Sequence, residues 1–278
     1  MQPGVAPFTA RTPRVVAARR LQRRRDRDTS ARFLAEGPQA VREALSVPGC
    51  VVELFATIDG YDRHPALINA ARAAHATLST VTDDGLAALA ETTTPQGVVA
   101  VCRQLDVPLA EALDHRPRLV AVLAGVRDPG NAGTVLRTAD AAGADAVVFA
   151  GEAVDPYNGK AVRASAGSVF HVDVVRDDDA VGVIDELRRR GLRVLAADGH
   201  GEEDLEELAD RGGLDGPTAW VFGSEAHGLP DAVALGADAR VRVPMHGRAE
   251  SLNLGAAAAV CLYASARALR PARERGQT

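Results

Sequence analysis

The sequence has three cysteines in 278 residues, one lysine, few aromatic side chains and no long apolar run. Cys50, Cys102 and Cys261 are odd in number, far apart and without metal-ligand spacing. That excludes a disulfide scaffold, gives no metal motif, and reads as buried reduced thiols of a cytoplasmic protein. No stretch reaches the roughly 18 apolar residues of a membrane-spanning helix. The richest, Leu254–Ala264, reads as a buried helix. The N-terminus lacks the apolar core of a secretory signal. Its Arg-rich, acid-poor opening is like that of a mitochondrial transit peptide. The same Arg-over-Lys and Ala/Gly/Val bias runs through the whole chain, so it is read as genome composition. Neither a G-x-G-x-x-G fingerprint nor a P-loop is present, which removes support for dinucleotide and nucleoside-triphosphate sites.

The net charge of −5 suggests no nucleic-acid partner, but it is an average. Residues 1–32 hold nine Arg against Asp26 and Asp28, a formal +7, which leaves −12 for the rest. This basic N-terminal arm reads as mobile, apart from a short helix face with Val15, Val16 and Leu21. It is either a solvated tail or a phosphate-contacting segment through Arg19, Arg20, Arg23, Arg24, Arg25 and Arg27. Arg267, with Arg270, Arg273 and Arg275 of a tail at 269–278, offset by Glu274, makes a second basic end.

Two α/β regions follow the arm. In 33–103, strands are expected at Val51–Thr57, Thr77–Val81 and Val98–Cys102. Helices are expected through Val41 and Leu45, over Pro65–Ala74, and over Asp83–Glu91 with Asp83 as N-cap. The alternation implies a largely parallel sheet. Residues 104–116 read as a linker with a short helical patch. In 117–268, strands are expected at Leu119–Ala124, Val147–Phe149, Val169–Val175, Leu192–Ala197, Ala219–Phe222 and Arg240–Val243. Helices are expected at Ala132–Ala142, Pro156–Ala166, Ala180–Arg190 and Ser251–Leu269. Short apolar runs bounded by Gly, Asp and Pro are what a buried parallel sheet produces.

Three loops at strand ends hold the candidate chemistry. In the first, Gly125 to Arg137, Gly130 and Gly133 permit close backbone approach and Asn131 is a candidate helix cap. Arg137, six residues beyond Asn131, is placed to reach a phosphate at that helix start; otherwise it is an ordinary surface arginine. The second, Trp220 to Pro230, sets Glu225 just after a buried strand, where a charge needs a partner. His227 there reads as a surface residue rather than an acid or base. The third, Val243 to Gly255, puts Ser251 and Asn253 at the start of an apolar, Ala-rich helix, with Ser251 as N-cap. Ser251, Asn253 and Glu225 are expected to form one hydrogen-bonded cluster.

Taken together, Asn131-x-Gly-x-x-x-Arg137, Phe222-Gly-Ser-Glu-Ala-x-Gly-Leu and Val243-Pro-Met-x-Gly-x-x-x-Ser-Leu-Asn253 resemble, in order, the three motifs of the SpoU/TrmH family. These are S-adenosylmethionine-dependent RNA 2′-O-ribose methyltransferases of the SPOUT superfamily. Phe33-Leu-Ala-Glu-Gly-Pro and Glu43-Ala-Leu resemble the start of that family's L30e-like RNA-binding domain, so the likeness covers about residues 32–268.

The resemblance implies an α/β protein. Its C-terminal parallel sheet, 117–268, would thread a deep trefoil knot, and the smaller α/β L30e-like domain, 33–103, would bind RNA. It implies S-adenosylmethionine held at Gly223, Val243, Met245, Leu252 and Leu254, with Ala197 near the adenine. Arg137, Asn131, Glu225, Ser251 and Asn253 would form the catalytic group. The side-chain pKa of Arg, above about 12, makes Arg137 a positioner and alkoxide stabiliser rather than a free base. Lys160, Arg163 and Ser165, in a segment between the first two motifs, would contact RNA; otherwise they are ordinary helix-surface residues. The implied assembly is a homodimer, cytoplasmic, without metal. Ribosomal RNA is the expected substrate and transfer RNA the alternative. Outside this class stand a nucleotide-dependent oxidoreductase and a catalytically silent RNA-binding module.

Overall fold

The computed structural model describes residues 6–269; Arg270, Arg273, Glu274 and Arg275 lie outside them. The first half of the chain runs α1 (Pro13–Arg19), α2 (Arg24–Ser30), β1 (Arg32–Glu36), α3 (Pro38–Ser46), β2 (Val51–Ala56), α4 (Ile58–Arg63), α5 (Pro65–Ala73), β3 (Thr77–Thr80), α6 (Asp83–Leu89), β4 (Val98–Arg103), α7 (Leu109–Asp114), β5 (Leu119–Ala124) and α8 (Pro129–Ala142). The second half runs β6 (Ala146–Ala150), α9 (Gly159–Ala164), β7 (Asp173–Asp177), α10 (Ala180–Arg189), β8 (Arg193–Ala197), β9 (Glu203–Asp204), α11 (Leu205–Asp210), β10 (Thr218–Phe222), α12 (Asp231–Gly236), β11 (Ala239–Arg242) and α13 (Leu254–Ala268). The chain divides into two compact units.

Unit 1 comprises the described residues up to Leu105, together with Tyr157–Phe170. Its sheet has the order β1-β4-β2-β3. β4 runs antiparallel to both β1 and β2, and only β2 and β3 are parallel. The largely parallel sheet expected here is therefore corrected to a mixed one. β1 was absent from the expectation; its five residues alternate between half-buried and buried, the mark of a strand covered on one face.

The arm is folded rather than mobile. Val15, Ala18 and Leu21, at three-residue spacing, are buried against Phe55, Leu86, Leu89 and Val99. Gln22 Nε2 donates to the carbonyls of Ala88 and Leu89 at 3.2 Å, satisfying the end of α6. Val16, expected on the apolar face, is exposed. Arg27 is buried, its Nη1 donating to the carbonyls of Leu21 and Gln22 at 3.0 Å, so it holds the fold and offers nothing to a phosphate.

Tyr157–Phe170 belongs to unit 1, although its flanking sequence belongs to unit 2. Phe33 lies between Tyr157 and Phe170, with ring centroids 4.6 and 5.9 Å away. Tyr157 Oη accepts from Leu105 N at 2.8 Å. Arg163 Nη1 pairs with Glu91 at 2.9 Å and with Glu36 at 3.5 Å. The strand expected at Val169–Val175 is split into a 3-10 turn at Ser168–Phe170 and β7, which starts at Asp173.

Unit 2 comprises Asp106–Pro156 and the described residues from His171. Its seven strands run in the order β7-β6-β5-β10-β8-β11-β9, and every pairing is parallel. β5, β6 and β10 are buried along their whole length, as strands covered on both faces must be. On one face, α10 and α12 pack Val183, Ile184, Leu187 and Val233 onto Val120, Val122, Val148 and Val221. On the other, α13 lies beside α8 and crosses β10 and β5. There the buried Trp220 indole donates to Ser265 Oγ at 2.9 Å.

Three expected caps move by one to three residues. Thr82, not Asp83, caps α6, its side chain accepting from Gly85 N. Asp128, not Asn131, caps α8, accepting from Asn131 N. Asn253, not Ser251, caps α13, accepting from Gly255 N. All three thiols are buried, and desolvation raises Cys261 to about 12.

Candidate active site

The site lies in unit 2, where parallel strands present their carboxyl ends. β8, β10 and β11 are neighbours, and the loops after them begin at Asp198, Gly223 and Val243. The loop after β10 is closed on itself. Ser224 N donates to Gly228 O at 3.0 Å and Gly228 N to Ser224 O at 2.8 Å. A Cβ at position 223 would lie 2.3 Å from Gly228 O, so only glycine permits this closure.

These loops surround an open cavity of about 210 Å³. All six residues expected at a cofactor site line it: Ala197, Gly223, Val243, Met245, Leu252 and Leu254. Phe222, Val241 and Ala257 add apolar wall. The charged groups in the lining are Asp198, Glu225 and Glu250, with no basic side chain among them. The sequence reading missed Asp198 and Glu250; the position of Asp198, directly after strand β8, was the available signal.

Beside this cavity the chain ties its three loops together. Glu225 Oε1 accepts from Asn131 Nδ2 at 2.7 Å, from Asn253 Nδ2 at 3.0 Å and from Leu254 N at 3.5 Å. Asn253 Nδ2 also reaches Asn131 Oδ1 at 3.2 Å, while its own Oδ1 caps α13 at 2.9 Å. One carboxylate oxygen thus gathers donors from the start of α8 and the start of α13. A carboxylate accepting several donors is a stronger anchor than a neutral pair. Ser251 is exposed, lines the cavity, and takes no part in this network. The expected cluster of Ser251, Asn253 and Glu225 is therefore corrected: Asn131 stands where Ser251 was expected. Arg137 is exposed on α8 and forms no hydrogen bond or ion pair among the described residues.

The expected RNA-contact residues divide. Arg19, Arg20, Arg23 and Arg24 are exposed on unit 1, with Arg24 close to Asp28 at 3.6 Å. Lys160 is exposed at the start of α9. Arg163 is half-buried between Glu36 and Glu91. Ser165 is fully buried, its Oγ donating to Val162 O at 2.8 Å, and has no surface to offer a ligand. His227 is exposed, in keeping with its reading as a surface residue. Among the described residues there is no metal-binding cluster and no helix long and apolar enough to cross a membrane.

The SpoU rRNA methylase family model matches residues 118–263. The chain belongs to this family. A second model, the MRM3-like substrate-binding domain, matches residues 12–100, so the likeness begins inside the basic arm. The chain is 34% identical over 255 residues to RlmP of Bacillus subtilis, a 23S rRNA guanosine 2′-O-methyltransferase, covering 92% of this chain and 96% of that protein. Among solved structures it is similar to an AdoMet-bound rRNA methyltransferase from Sinorhizobium meliloti. The TM-score is 0.83 at 31% identity, covering 96% of this chain and 99% of that one. It is also similar to the SpoU methyltransferase AviRb from Streptomyces viridochromogenes in complex with AdoMet. That TM-score is 0.77 at 30% identity, covering 92% and 98% of the two chains. In this SpoU family member the three motif loops meet at one place, in the mixed apolar and acidic setting described above.

Proposed function

We propose that this protein transfers a methyl group from S-adenosylmethionine to a ribose 2′-hydroxyl of RNA, with ribosomal RNA as the substrate class. The observation that carries this reading is the cavity of unit 2, walled largely by apolar residues, with carboxylates as the charged groups of its lining, and abutted by the Asn131–Glu225–Asn253 network. The lining fits the cofactor's chemistry. Apolar residues suit adenine, while Asp198, Glu225 and Glu250 suit a molecule positive at its sulfonium and ammonium. The same three carboxylates repel the pyrophosphate of a dinucleotide, which argues against the oxidoreductase reading. The relatives named above act on rRNA or bind AdoMet, and similarity over nearly the whole chain supports extending both to this one.

When bound, the cofactor supplies a methyl already activated by positive charge, so the protein's task is to place and deprotonate a hydroxyl. Gly223, Val243, Met245, Leu252, Leu254 and Ala197 hold the cofactor. Glu225, through Asn131 and Asn253, fixes the starts of α8 and α13 relative to each other. Arg137 stands between one and two helical turns beyond Asn131 and stays unpaired, free to take an RNA phosphate or a developing alkoxide. Ser251 faces the cavity, where its hydroxyl can orient ligand oxygens.

The same reading includes a trefoil knot in the C-terminal sheet, an L30e-like unit 1 and a cytoplasmic homodimer in which Arg137 serves the partner's cofactor loops. Val260 and Tyr263, exposed on α13, support a partner copy on that face. Sedimentation tests it: a monomer at micromolar concentration overturns the dimer.

The deciding experiment supplies radiolabelled S-adenosylmethionine with ribosomal subunits, protein-free rRNA and total tRNA. Label is expected in rRNA, at a linkage resistant to alkali because the 2′-oxygen is blocked. Label in tRNA alone would move the substrate class; no label in any RNA would remove the activity and favour the silent module.

A further inference from the structure

A second cleft opens on the same sheet, outside the carboxyl ends of β5 and β6. It is an open cavity of about 300 Å³, adjoining the first through Ser224 and Gly228, which line both. Nothing in the methyl-transfer scheme above uses it.

Its position has topological meaning. β5 and β10 are adjacent, yet their connections part. β5 leads through α8 to β6, on the face that carries α13; β10 leads through α12 towards β11, on the face that carries α10. A parallel sheet has a crevice where neighbouring connections diverge in this way, and ligands bind there.

Small residues, Gly125, Gly151, Ala150 and Ala180, line one side of it, and His227, Leu229 and Pro230 of the loop after β10 line the other. Gly125 and Gly151 both have positive φ, +67° and +64°, and a Cβ built on Gly151 would touch only Ala180, at 3.7 Å. At the rim, Arg127 Nη2 donates to Glu152 Oε2 at 2.6 Å. Their side chains are 70% and 85% exposed, so water competes for both and the pair exchanges readily for other partners. The cleft therefore offers a planar donor and a planar acceptor beside the small residues of its β5–β6 side.

A methylated ribose must sit beside the first cavity, and its base is one glycosidic bond away. We infer that this second cleft receives the base of the target nucleotide, with Arg127 and Glu152 reading its edge. Guanine matches both members of the pair, since it presents O6 and N7 as acceptors and N1–H and the 2-amino group as donors. The inference rests on the proposed methyl transfer to RNA and adds to it a substrate-recognition site and its two reading residues.

The test uses full-length protein with R127A, E152Q and A180F, the last filling the cleft from its small-residue side. Each is assayed for methyl transfer to ribosomal subunits and to protein-free rRNA, for S-adenosylmethionine affinity by calorimetry, and for thermal unfolding. Expected is a fall in kcat/KM for RNA of about 10- to 100-fold for R127A and E152Q, and loss of transfer for A180F. Cofactor affinity and unfolding midpoint stay at wild-type values in R127A and E152Q, which a merely structural role would not leave untouched. Wild-type rates in R127A and E152Q, at the same nucleotide, overturn the inference while leaving the methyl-transfer reading intact. If wild-type protein methylates no RNA, that reading fails first and the base site falls with it.

Discussion

Asn131 and Glu225, 94 residues apart in sequence, are joined by a 2.7 Å hydrogen bond that fastens the start of α8 to the loop after β10. The Glu225 oxygen that receives it also receives Asn253. Removing Glu225 takes the shared acceptor from both amides, and removing Asn131 takes a partner from both Glu225 and Asn253, so the three should act as a unit. Single alanine substitutions at Asn131 and Glu225 are expected to impair methyl transfer severely, and the double substitution little more. The coupling energy from the double-mutant cycle should be about 0.5–3 kcal/mol. Strict additivity would show the bond to be incidental.

Arg137 stands outside this network and has no partner of its own among the described residues. R137A is expected to lower kcat by about 100- to 1000-fold, the usual loss when a donor to developing negative charge is removed. S-adenosylmethionine affinity should be unchanged. R137K should recover only part of the rate, because a point charge does not reproduce a planar fork. Weakened cofactor binding in R137A would place the residue in the cofactor cavity instead.

The N-terminal arginines separate by burial. Neutralising Arg19, Arg20, Arg23 and Arg24 together should leave stability within about 0.5 kcal/mol per site. It should also flatten the salt dependence of RNA binding, by about 0.7–0.9 in log-log slope for each phosphate that is no longer neutralised. R27A should do the reverse. It strands two carbonyls on a buried surface, costing about 1–3 kcal/mol in denaturant unfolding. Equal behaviour of the two variants would contradict the burial pattern. Deletion of the whole arm is not a clean test, since it removes Val15 and Leu21 from the core.

S265A removes the acceptor of the buried Trp220 indole. The orphaned N–H should cost about 1–3 kcal/mol in unfolding free energy. A loss well below that range would mean water reaches the indole.

The bond between Glu225 and Asn253 was legible in the sequence, whereas the share of Asn131 in it was not. A carboxylate straight after a buried strand needs a partner, and Glu225 found Asn131 and Asn253. The caps were misplaced where several competent residues stand close together: Asp128 with Asn131, Thr82 with Asp83, Ser251 with Asn253. Composition cannot rank such neighbours; backbone angles do. The direction of β4 was illegible for another reason, since an apolar strand reads alike in parallel and antiparallel company. The fold of the arm was masked by its charge. Val15, Ala18 and Leu21 are few and lie among arginines at 14, 19, 20 and 23–25, yet their three-residue spacing suffices for one buried stripe.

The return of Tyr157–Phe170 to unit 1 fixes an order on synthesis. Glu36 and Glu91 have their arginine only once residue 163 exists, and Phe33 both of its ring neighbours only once residue 170 exists. On the ribosome, the N-terminal unit waits, incomplete, while β5 and β6 of the other unit are made first. A fragment cut at Leu105 is therefore a domain with a missing piece, and the two units, each compact in itself, are born interleaved.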